Sequence, residues 1–155
     1  MQFVKEMNYI IYTDLTKKAL RISFAAHQNQ IDMGGMPYVY HPYHLAEQMD
    51  DEYSVCVALL HDVVEDAGVS IEKLEACGFP DDILDAVEIL THDKRMQYMD
   101  YIAMVKTNDL ARKVKIADLK HNSDLSRIER FTEHTFERNA KYNKALKFLT
   151  DESGF

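Results

Sequence analysis

One short stretch of the sequence combines an apolar run with several ionisable side chains. The ionisable residues are His61, Asp62, Glu65 and Asp66, and they follow the run Ala58-Leu59-Leu60. In a continuous helix, side chains four residues apart share a face, so the histidine lies over the glutamate and the first aspartate over the second. Imidazoles and carboxylates are rarely fully buried unless they are paired or bind a metal. The stretch therefore favours a metal site, and the alternative is a solvated polar face on an amphipathic helix.

Two other positions could complete a metal site. His41 stands immediately before Pro42 at a predicted helix entrance, and Asp118 lies in an apolar segment with Asn122 one helical turn later. Two histidines and two aspartates would form a shell of nitrogen and oxygen ligands without thiolate, which suits manganese, iron or zinc. Considered singly, each residue also has a simpler interpretation, His41 as a helix cap and Asp118 as the ion-pair partner of Lys115.

A metal at this site would supply hydrolytic chemistry without a serine or cysteine nucleophile. A divalent metal lowers the pKa of bound water from about 15.7 towards about 7 and neutralises charge on a phosphoryl group. Glu65 or Asp66 could accept a proton from the attacking water or orient it. The sequence has no Gly-rich loop before a catalytic lysine, so a nucleotide kinase is not expected.

Composition narrows the class of protein further. The chain has 155 residues, of which 46% are hydrophobic and 28% charged, as expected for a single globular domain over residues 1–155. The formal net charge of −8 argues against nucleic acid bound through a broad basic surface. Cys56 and Cys77 provide no disulfide framework, residues 1–12 lack a targeting signal, and no segment has transmembrane length. We therefore expect a cytoplasmic protein with no membrane partner.

The sequence predicts an all-α domain because turn-forming residues are sparse and apolar residues recur at helical spacing. It contains only five glycines and three prolines, and two of the glycines, Gly34-Gly35, lie in a predicted break over residues 31–36. Predicted helices begin after Thr13, at Pro42, after Ser70 and at Pro80, and others cover about 52–66 (ended by Gly68), 98–106, 110–127 and about 132–149.

Three segments together resemble the HD-domain metal phosphohydrolases. They are His41-Pro42, the run Leu-Leu-His-Asp-Val-Val-Glu-Asp over 59–66 and the run Lys-Ile-Ala-Asp-Leu-Lys-His-Asn over 115–122, and the whole match runs from about residue 19 to about residue 138. More narrowly, the sequence resembles the hydrolase domain of RelA/SpoT-type enzymes and the stand-alone small alarmone hydrolases. This resemblance implies a single HD-type bundle of α-helices. It also implies removal of the 3′-pyrophosphate from guanosine tetra- and pentaphosphate, (p)ppGpp, with a divalent metal that is typically Mn²⁺.

The resemblance also assigns roles to particular residues. The implied metal ligands are His41, His61, Asp62 and Asp118, and the implied water-activating pair is Glu65 and Asp66. Asn122 matches a position near the nucleoside, and Arg138 aligns with an arginine that contacts phosphate. Apart from the resemblance, Tyr98 would line the nucleoside pocket or belong to the core or a groove wall. Lys141, one turn after Arg138, would assist phosphate binding or belong to a charged solvent face. The expected ligand is a small nucleotide, and the resemblance allows a homodimer.

The loop before the first candidate ligand departs from the family pattern. Alarmone hydrolases usually carry an Arg-Lys pair there, and the arginine packs on the guanine base, whereas the aligned residues here are Asp32 and Met33. An acidic side chain cannot replace guanidinium stacking or a phosphate contact. Two alternatives therefore stay open: an HD phosphohydrolase of another nucleotide or phosphorylated nucleoside, and a non-catalytic sensor that binds metal and nucleotide.

Overall fold

The structure, a computed structural model, describes residues 9–151, and α-helices make up most of that range. The helices are α1 Asp14–Ala26, α2 Tyr40–Glu47, α3 Glu52–Leu60, α4 Val63–Ala67, α5 Ile71–Ala76, α6 Asp81–Leu90, α7 Tyr98–Lys106, α8 Asp109–Asn122 and α9 Glu133–Thr150, with a 3₁₀ helix at Leu125–Arg127. The described range contains no β-strand, only an isolated antiparallel bridge between Ile31 and Pro37. The all-α prediction is thus confirmed. Residues 1–8, part of the stretch in which no targeting signal is predicted, lie outside the described residues.

Side-chain caps explain where several helices begin. The capping residues are Thr13, Asp51, Ser70, Asn108 and Thr132, and each accepts a hydrogen bond from the backbone N–H three residues later. Such a cap contributes about 1 kcal/mol because it satisfies an N–H group that has no partner within the helix. Gly68 ends α4 in the left-handed conformation, with φ of +67°, as predicted.

The predicted helix over residues 52–66 is interrupted at the residues of most chemical interest. His61 and Asp62 lie between α3 and α4 rather than inside one continuous helix. The Nδ1 atom of His61 donates to the carbonyl oxygen of Ala58 at 2.6 Å. This bond satisfies a carbonyl in the last turn of α3 and turns the imidazole back towards that helix.

Two other boundaries differ from the predictions. The eighth helix ends at Asn122 rather than near residue 127, because the Ser123 hydroxyl donates to the Leu119 carbonyl at 2.6 Å and Asp124 then begins a separate turn. The second helix begins at Tyr40, two residues before Pro42, so that His41 lies within its first turn. Proline is tolerated there because its nitrogen needs no helical partner.

The helix α3 lies at the centre of the fold. All residues from Ser54 to Leu60 are buried, and α3 packs against α1, α2, α6 and α8. A helix that is apolar on every side is stable only when other helices surround it. The helices α2 and α8 also pack against each other, and contacts of His41 and His61 with Asp118 bring the first turn of α2, the end of α3 and the second half of α8 together. None of the helices in residues 9–151 combines the length and the apolar character needed to cross a bilayer.

Candidate metal centre and adjoining cavity

The four predicted metal ligands lie together where α2, α8 and the α3–α4 junction meet. The Nε2 atom of His41 is 2.8 Å from Asp118 Oδ1, and the Nε2 atom of His61 is 2.9 Å from Asp62 Oδ2 and 3.6 Å from Asp118 Oδ1. Ligand atoms of His41, His61 and Asp62 all lie within 4.8 Å of one another, as a shared metal requires. We refer to these four residues as the metal cluster.

The proton positions around His61 fit a metal at the cluster. Since His61 Nδ1 donates to the Ala58 carbonyl, Nε2 is the ring nitrogen that faces the cluster, and it carries a lone pair when the ring is neutral. This buried Nε2 atom has no hydrogen-bond partner among the described residues, although oxygens of Asp62 and Asp118 face it. A nitrogen that faces two ionised carboxylates needs a positive charge between them, which either a proton on Nε2 or a metal ion in its place provides.

Electrostatics also favour a cation at the cluster. Burial alone would lower the pKa of His61, but the carboxylates of Asp62 and Asp118 outweigh it and raise that pKa well above the usual value. Burial alone would raise the pKa of Asp118, yet Lys115 and the two histidines hold it well below its usual range. The cluster is therefore an anionic, buried site in which a positive charge is stabilised.

Asp118 contacts both Lys115, its predicted ion-pair partner, and the candidate histidine ligands. Its Oδ2 atom accepts from Lys115 Nζ at 2.8 Å, and its Oδ1 atom accepts from Asn122 Nδ2 at 2.9 Å while facing His41. The ion pair with Lys115 and the contact with the histidines thus coexist. Asn122, predicted to contact substrate, holds Asp118 in place and also lines the adjoining cavity.

Tyr38 is a member of this site that the sequence analysis did not single out. Its hydroxyl donates to Asp62 Oδ2, and its ring packs against His27 with centroids 4.9 Å apart. Burial and the carboxylate of Asp62 raise the pKa of Tyr38, so the phenol stays protonated and acts as a donor. The available signal was its position three residues before His41, on the approach to α2.

Glu65 and Asp66 lie beside the metal cluster on α4. Their carboxylates and that of Asp62 lie within 4.8 Å of one another. The acidic pair therefore lies next to Asp62 even though the helix is interrupted. His61 is directed at Asp62 and Asp118, whereas a continuous helix would place it over Glu65. Partial burial, followed by the neighbouring carboxylates, raises the pKa values of both Glu65 and Asp66. The N–H of His92 donates to Glu65 Oε1 at 3.2 Å and holds that side chain.

A cavity of about 280 Å³ opens next to the metal cluster. Its lining includes His41 and Tyr38 on one side, Asn122 and Arg127 on another, and Arg138 and Tyr142 from α9. The loop of residues 31–34 completes the wall. The cavity therefore joins the candidate ligands to two arginines, an arrangement suited to an anionic substrate.

The two residues that depart from the family pattern form part of this wall. Asp32 Oδ1 accepts the backbone N–H groups of Gly34 at 2.8 Å and Met36 at 3.0 Å, and its Oδ2 atom is 3.3 Å from Arg127 Nη2. A Cβ atom on Gly34 would lie 2.2 Å from the Arg127 carbonyl oxygen, so the loop packs directly on that segment. Asp32 is thus an organiser of the loop, and Arg127 is a cavity residue that the sequence analysis missed.

The remaining predicted substrate residues are separated by the fold. Arg138 lines the cavity, where its Nη1 atom contacts the sulfur of Met33. Tyr98 and Lys141 instead pair with each other, the ammonium lying 4.1 Å from the ring centroid, and neither is among the cavity-lining residues. Of these predicted substrate contacts, the structure brings Asn122 and Arg138 to the cavity and leaves the other two beside it.

Comparison with known proteins shows distant relatives of the chain. No model of a known protein family matches the chain. It is 30% identical over 121 residues to a probable guanosine-3′,5′-bis(diphosphate) 3′-pyrophosphohydrolase of Synechocystis, and this match covers 68% of the chain. It is 28% identical over 145 residues, 79% of the chain, to the bifunctional (p)ppGpp synthase/hydrolase SpoT of Escherichia coli. The chain spans only 16% and 20% of the length of these two relatives.

A solved structure shares the fold over nearly the whole chain. It belongs to a metazoan orthologue of SpoT that is described as hydrolysing ppGpp and acting in starvation responses. The TM-score is 0.73 at 23% sequence identity, and the match covers 93% of this chain and 89% of the other. At that identity the likeness establishes the fold alone, and the sequence matches establish the relationship. The chain is therefore a distant homologue of the RelA/SpoT-type (p)ppGpp 3′-pyrophosphohydrolases and has an HD-domain fold.

Proposed function

We propose that this chain is a metal-dependent phosphohydrolase that removes the 3′-pyrophosphate of (p)ppGpp. The observation that carries the proposal is the buried Nε2 atom of His61, which faces two carboxylates beside a cavity containing two arginines. The names of the Synechocystis and Escherichia coli relatives support the choice of substrate.

The metal cluster would hold one divalent ion through His41, His61, Asp62 and Asp118. A ligand set of imidazole nitrogens and carboxylate oxygens without thiolate suits Mn²⁺. When bound, the ion supplies Lewis acidity that activates water and stabilises negative charge on phosphate. Tyr38 and Asn122 would orient the two carboxylates by donating to Asp62 and Asp118.

Glu65 and Asp66 would accept the proton of the attacking water. Because partial burial and neighbouring carboxylates raise the pKa values of both side chains, each is a stronger base than an ordinary carboxylate. In the proposed reaction the water oxygen forms a bond to the 3′-linked phosphorus and the bond from phosphorus to O3′ breaks. One water proton passes to the acidic pair, and O3′ leaves as a hydroxyl after taking a proton from solvent.

Residues of the cavity would bind the nucleotide. Arg138 forms no ion pair with a carboxylate among the described residues, so its guanidinium is available for a phosphate group. Asn122 would contact the nucleoside with the part of its amide that does not bind Asp118. Tyr98 and Lys141, which pair with each other outside the cavity lining, would act on the nucleotide through the attraction of the Lys141 ammonium for phosphate.

Pyrophosphate release from ppGpp tests this proposal directly. The purified chain should release pyrophosphate with Mn²⁺ present and stop when the metal is chelated. Glu65→Gln should lower turnover by orders of magnitude while Mn²⁺ still binds, since the substitution removes a base but no ligand. Metal-independent release, or Glu65→Gln with unchanged turnover, would contradict the proposed mechanism.

A second candidate substrate, another nucleotide or phosphorylated nucleoside, is favoured by one observation. Both oxygens of Asp32 are occupied by the loop backbone and Arg127, where the family pattern has a free arginine. A panel of 2′-, 3′- and 5′-phosphorylated nucleotides separates the candidates, because Mn²⁺-dependent release from another nucleotide alone keeps the mechanism and replaces the substrate. Tight nucleotide binding without any turnover would indicate a sensor instead. Light scattering on the same preparation tests the homodimer.

A further inference from the structure

His41 makes a close contact to a second histidine on the side of its ring that faces away from the metal cluster. The Nδ1 atom of His41 is 2.7 Å from the Nδ1 atom of His121. The two ring planes are inclined by only 4° and the ring centroids are 5.0 Å apart. Nearly parallel planes joined by a 2.7 Å atom pair are too close for stacking, so the rings meet edge to edge and the contact is an N–H···N hydrogen bond.

The direction of this hydrogen bond follows from the position of the cluster. Without a metal, the 2.8 Å contact between His41 Nε2 and Asp118 Oδ1 is a hydrogen bond donated by an Nε2 proton, and a bound metal would take the place of that proton. A neutral imidazole that ligates through Nε2 must carry its proton on Nδ1. His41 is then the donor, and His121 must accept with the lone pair of its own Nδ1 atom and carry its proton on Nε2.

Each of the two candidate imidazole ligands is therefore oriented by a hydrogen bond that its Nδ1 atom donates. The Nδ1 atom of His61 donates to the backbone carbonyl of Ala58 at 2.6 Å, and the Nδ1 atom of His41 donates to the side chain of His121. In metal sites an outer acceptor of this kind selects the tautomer and fixes the plane of the ring. The acceptor for His61 cannot be removed by substitution, whereas the acceptor for His41 can.

The fold holds His121 in place from three directions. It lies on α8, three residues after Asp118, so the same helix supplies a ligand and the partner of another ligand. Its ring stacks on that of His44, with centroids 4.2 Å apart and planes 27° apart, and His44 lies one turn after His41 on α2. The guanidinium of Arg127 donates to the His121 carbonyl oxygen at 2.8 Å.

We propose that His121 is a positioning residue that holds His41 as the tautomer whose Nε2 lone pair faces the metal. The inference rests on the metal-binding part of the proposed function and is independent of the nucleotide. The side chain of His121 does not line the cavity and faces His41 on the side away from the metal cluster, so its effect reaches the site through His41.

Metal affinity measured without substrate provides the first test. In the full chain, His121→Phe should weaken Mn²⁺ binding by about 10- to 100-fold, because the ring of His41 loses its acceptor. His121→Asn places an amide oxygen near the position of Nδ1 and should restore most of that affinity. His134→Phe, at an exposed histidine of α9, is the matched control and should bind Mn²⁺ as the unchanged chain does. Calorimetry or the electron paramagnetic resonance of free Mn²⁺ measures all of these.

The tautomer itself provides a second readout that a merely structural role would not change. In zinc-loaded protein, long-range ¹H–¹⁵N NMR should show His41 protonated at Nδ1 in the unchanged chain and in His121→Asn. The same signal should shift or broaden in His121→Phe. Equal metal affinity in His121→Phe and the unchanged chain, or an unaltered His41 tautomer, would overturn the proposal, as would equal losses in the Phe and Asn variants.

The outcomes also separate this inference from the assignment of substrate. An unchanged chain that binds no divalent metal overturns both the metal site and the role of His121. If Mn²⁺ affinity falls in the expected order from the unchanged chain to His121→Asn to His121→Phe, the role of His121 is supported. If the unchanged chain then releases no pyrophosphate from ppGpp, only the proposed substrate is rejected. Thermal unfolding of each variant checks that the fold is retained.

Discussion

The metal cluster and the cavity beside it are built in different ways. Each residue of the metal cluster belongs to a helix, or a helix junction, that packs around the buried α3, and each is held by a buried partner. The cavity shares His41 with the cluster, but most of its wall consists of the loop over 31–34, the segment around the short 3₁₀ helix and one face of α9, joined by a few side-chain contacts. The chemistry therefore depends on the core, whereas the choice of substrate depends on contacts that can change one at a time.

The largest effect is expected where the metal cluster meets the core. Asp118→Ala should abolish Mn²⁺ binding and lower the free energy of unfolding by about 3–5 kcal/mol, since it leaves the largely buried ammonium of Lys115 without its carboxylate. Urea denaturation of the metal-free protein measures the second effect. Adding Lys115→Met to Asp118→Ala should recover part of the lost stability but no metal binding. If the single variant is as stable as the unchanged chain, the buried ion pair does not support the fold.

A smaller effect is expected where the loop meets the 3₁₀ helix. Gly34→Ala would place a methyl group 2.2 Å from the Arg127 carbonyl oxygen, so the loop must move. Overpacking of this kind costs about 1–3 kcal/mol, and here we expect it to raise the KM for nucleotide while leaving Mn²⁺ affinity unchanged. Gly35→Ala is a useful contrast, because its Cβ would meet only a glutamate side chain at 3.5 Å and its cost would come from the φ of +79°. A change in Mn²⁺ affinity in Gly34→Ala would contradict the expectation that metal binding is independent of the cavity wall.

Removal of the ion pair across the cavity should have a more modest effect. Arg127→Ala releases Asp32 Oδ2 and also removes a guanidinium from the cavity lining. We expect KM to rise about 10-fold, corresponding to about 1.4 kcal/mol, with kcat nearly unchanged. Arg127→Lys keeps the charge but loses the fork geometry of the guanidinium. Its KM should lie between the KM of the unchanged chain and that of Arg127→Ala. Steady-state kinetics over the nucleotide panel distinguish the effect on KM from one on kcat.

The smallest effect is expected at the start of α3, outside both regions. Burial of Asp51 alone would raise its pKa, but the Ser54 N–H and Lys113 outweigh burial and lower it. The stabilisation from this carboxylate is therefore present above the unfolded-state pKa of about 3.9 and is lost as pH falls through the lower folded-state value. Asp51→Ala should cost about 1 kcal/mol at neutral pH and flatten that acid dependence. Denaturation between pH 2 and pH 7 tests this, and Asp50→Ala, which leaves the cap intact, is the control.

Much of the helical framework could be predicted because helix formation depends on neighbours in sequence. Caps such as Thr13 and Thr132 and the stop at Gly68 act within a few residues, and apolar spacing identified α1, α6 and α7 in the same way. The break at His61–Asp62 could not be predicted from spacing. A continuous helix and an interrupted one fit the same residue pattern, and the structure shows the interruption together with a hydrogen bond from the His61 imidazole to the Ala58 carbonyl.

The metal cluster was predicted as a set of residue types, while its partners were not. His41, His61, Asp62 and Asp118 were found because a short apolar segment with ionisable groups is costly unless those groups are paired. Tyr38, His121 and Arg127 escaped notice because tyrosine, histidine and arginine are common on ordinary surfaces. Only their hydrogen bonds to Asp62, to His41 and to the His121 carbonyl give them significance.

The sequence by itself determined most of the helices though not all of their boundaries, the types of candidate ligand and the absence of an arginine in the loop before α2. The tertiary structure alone decided which ring nitrogen faces the cluster, that Asp32 is occupied by its own loop and Arg127, and that Tyr98 and Lys141 pair beside the cavity. The physical reason is the range of the interactions. Helix formation is a property of residues within about one turn of each other, whereas protonation, tautomer and charge pairing depend on groups that the chain brings together from distant positions.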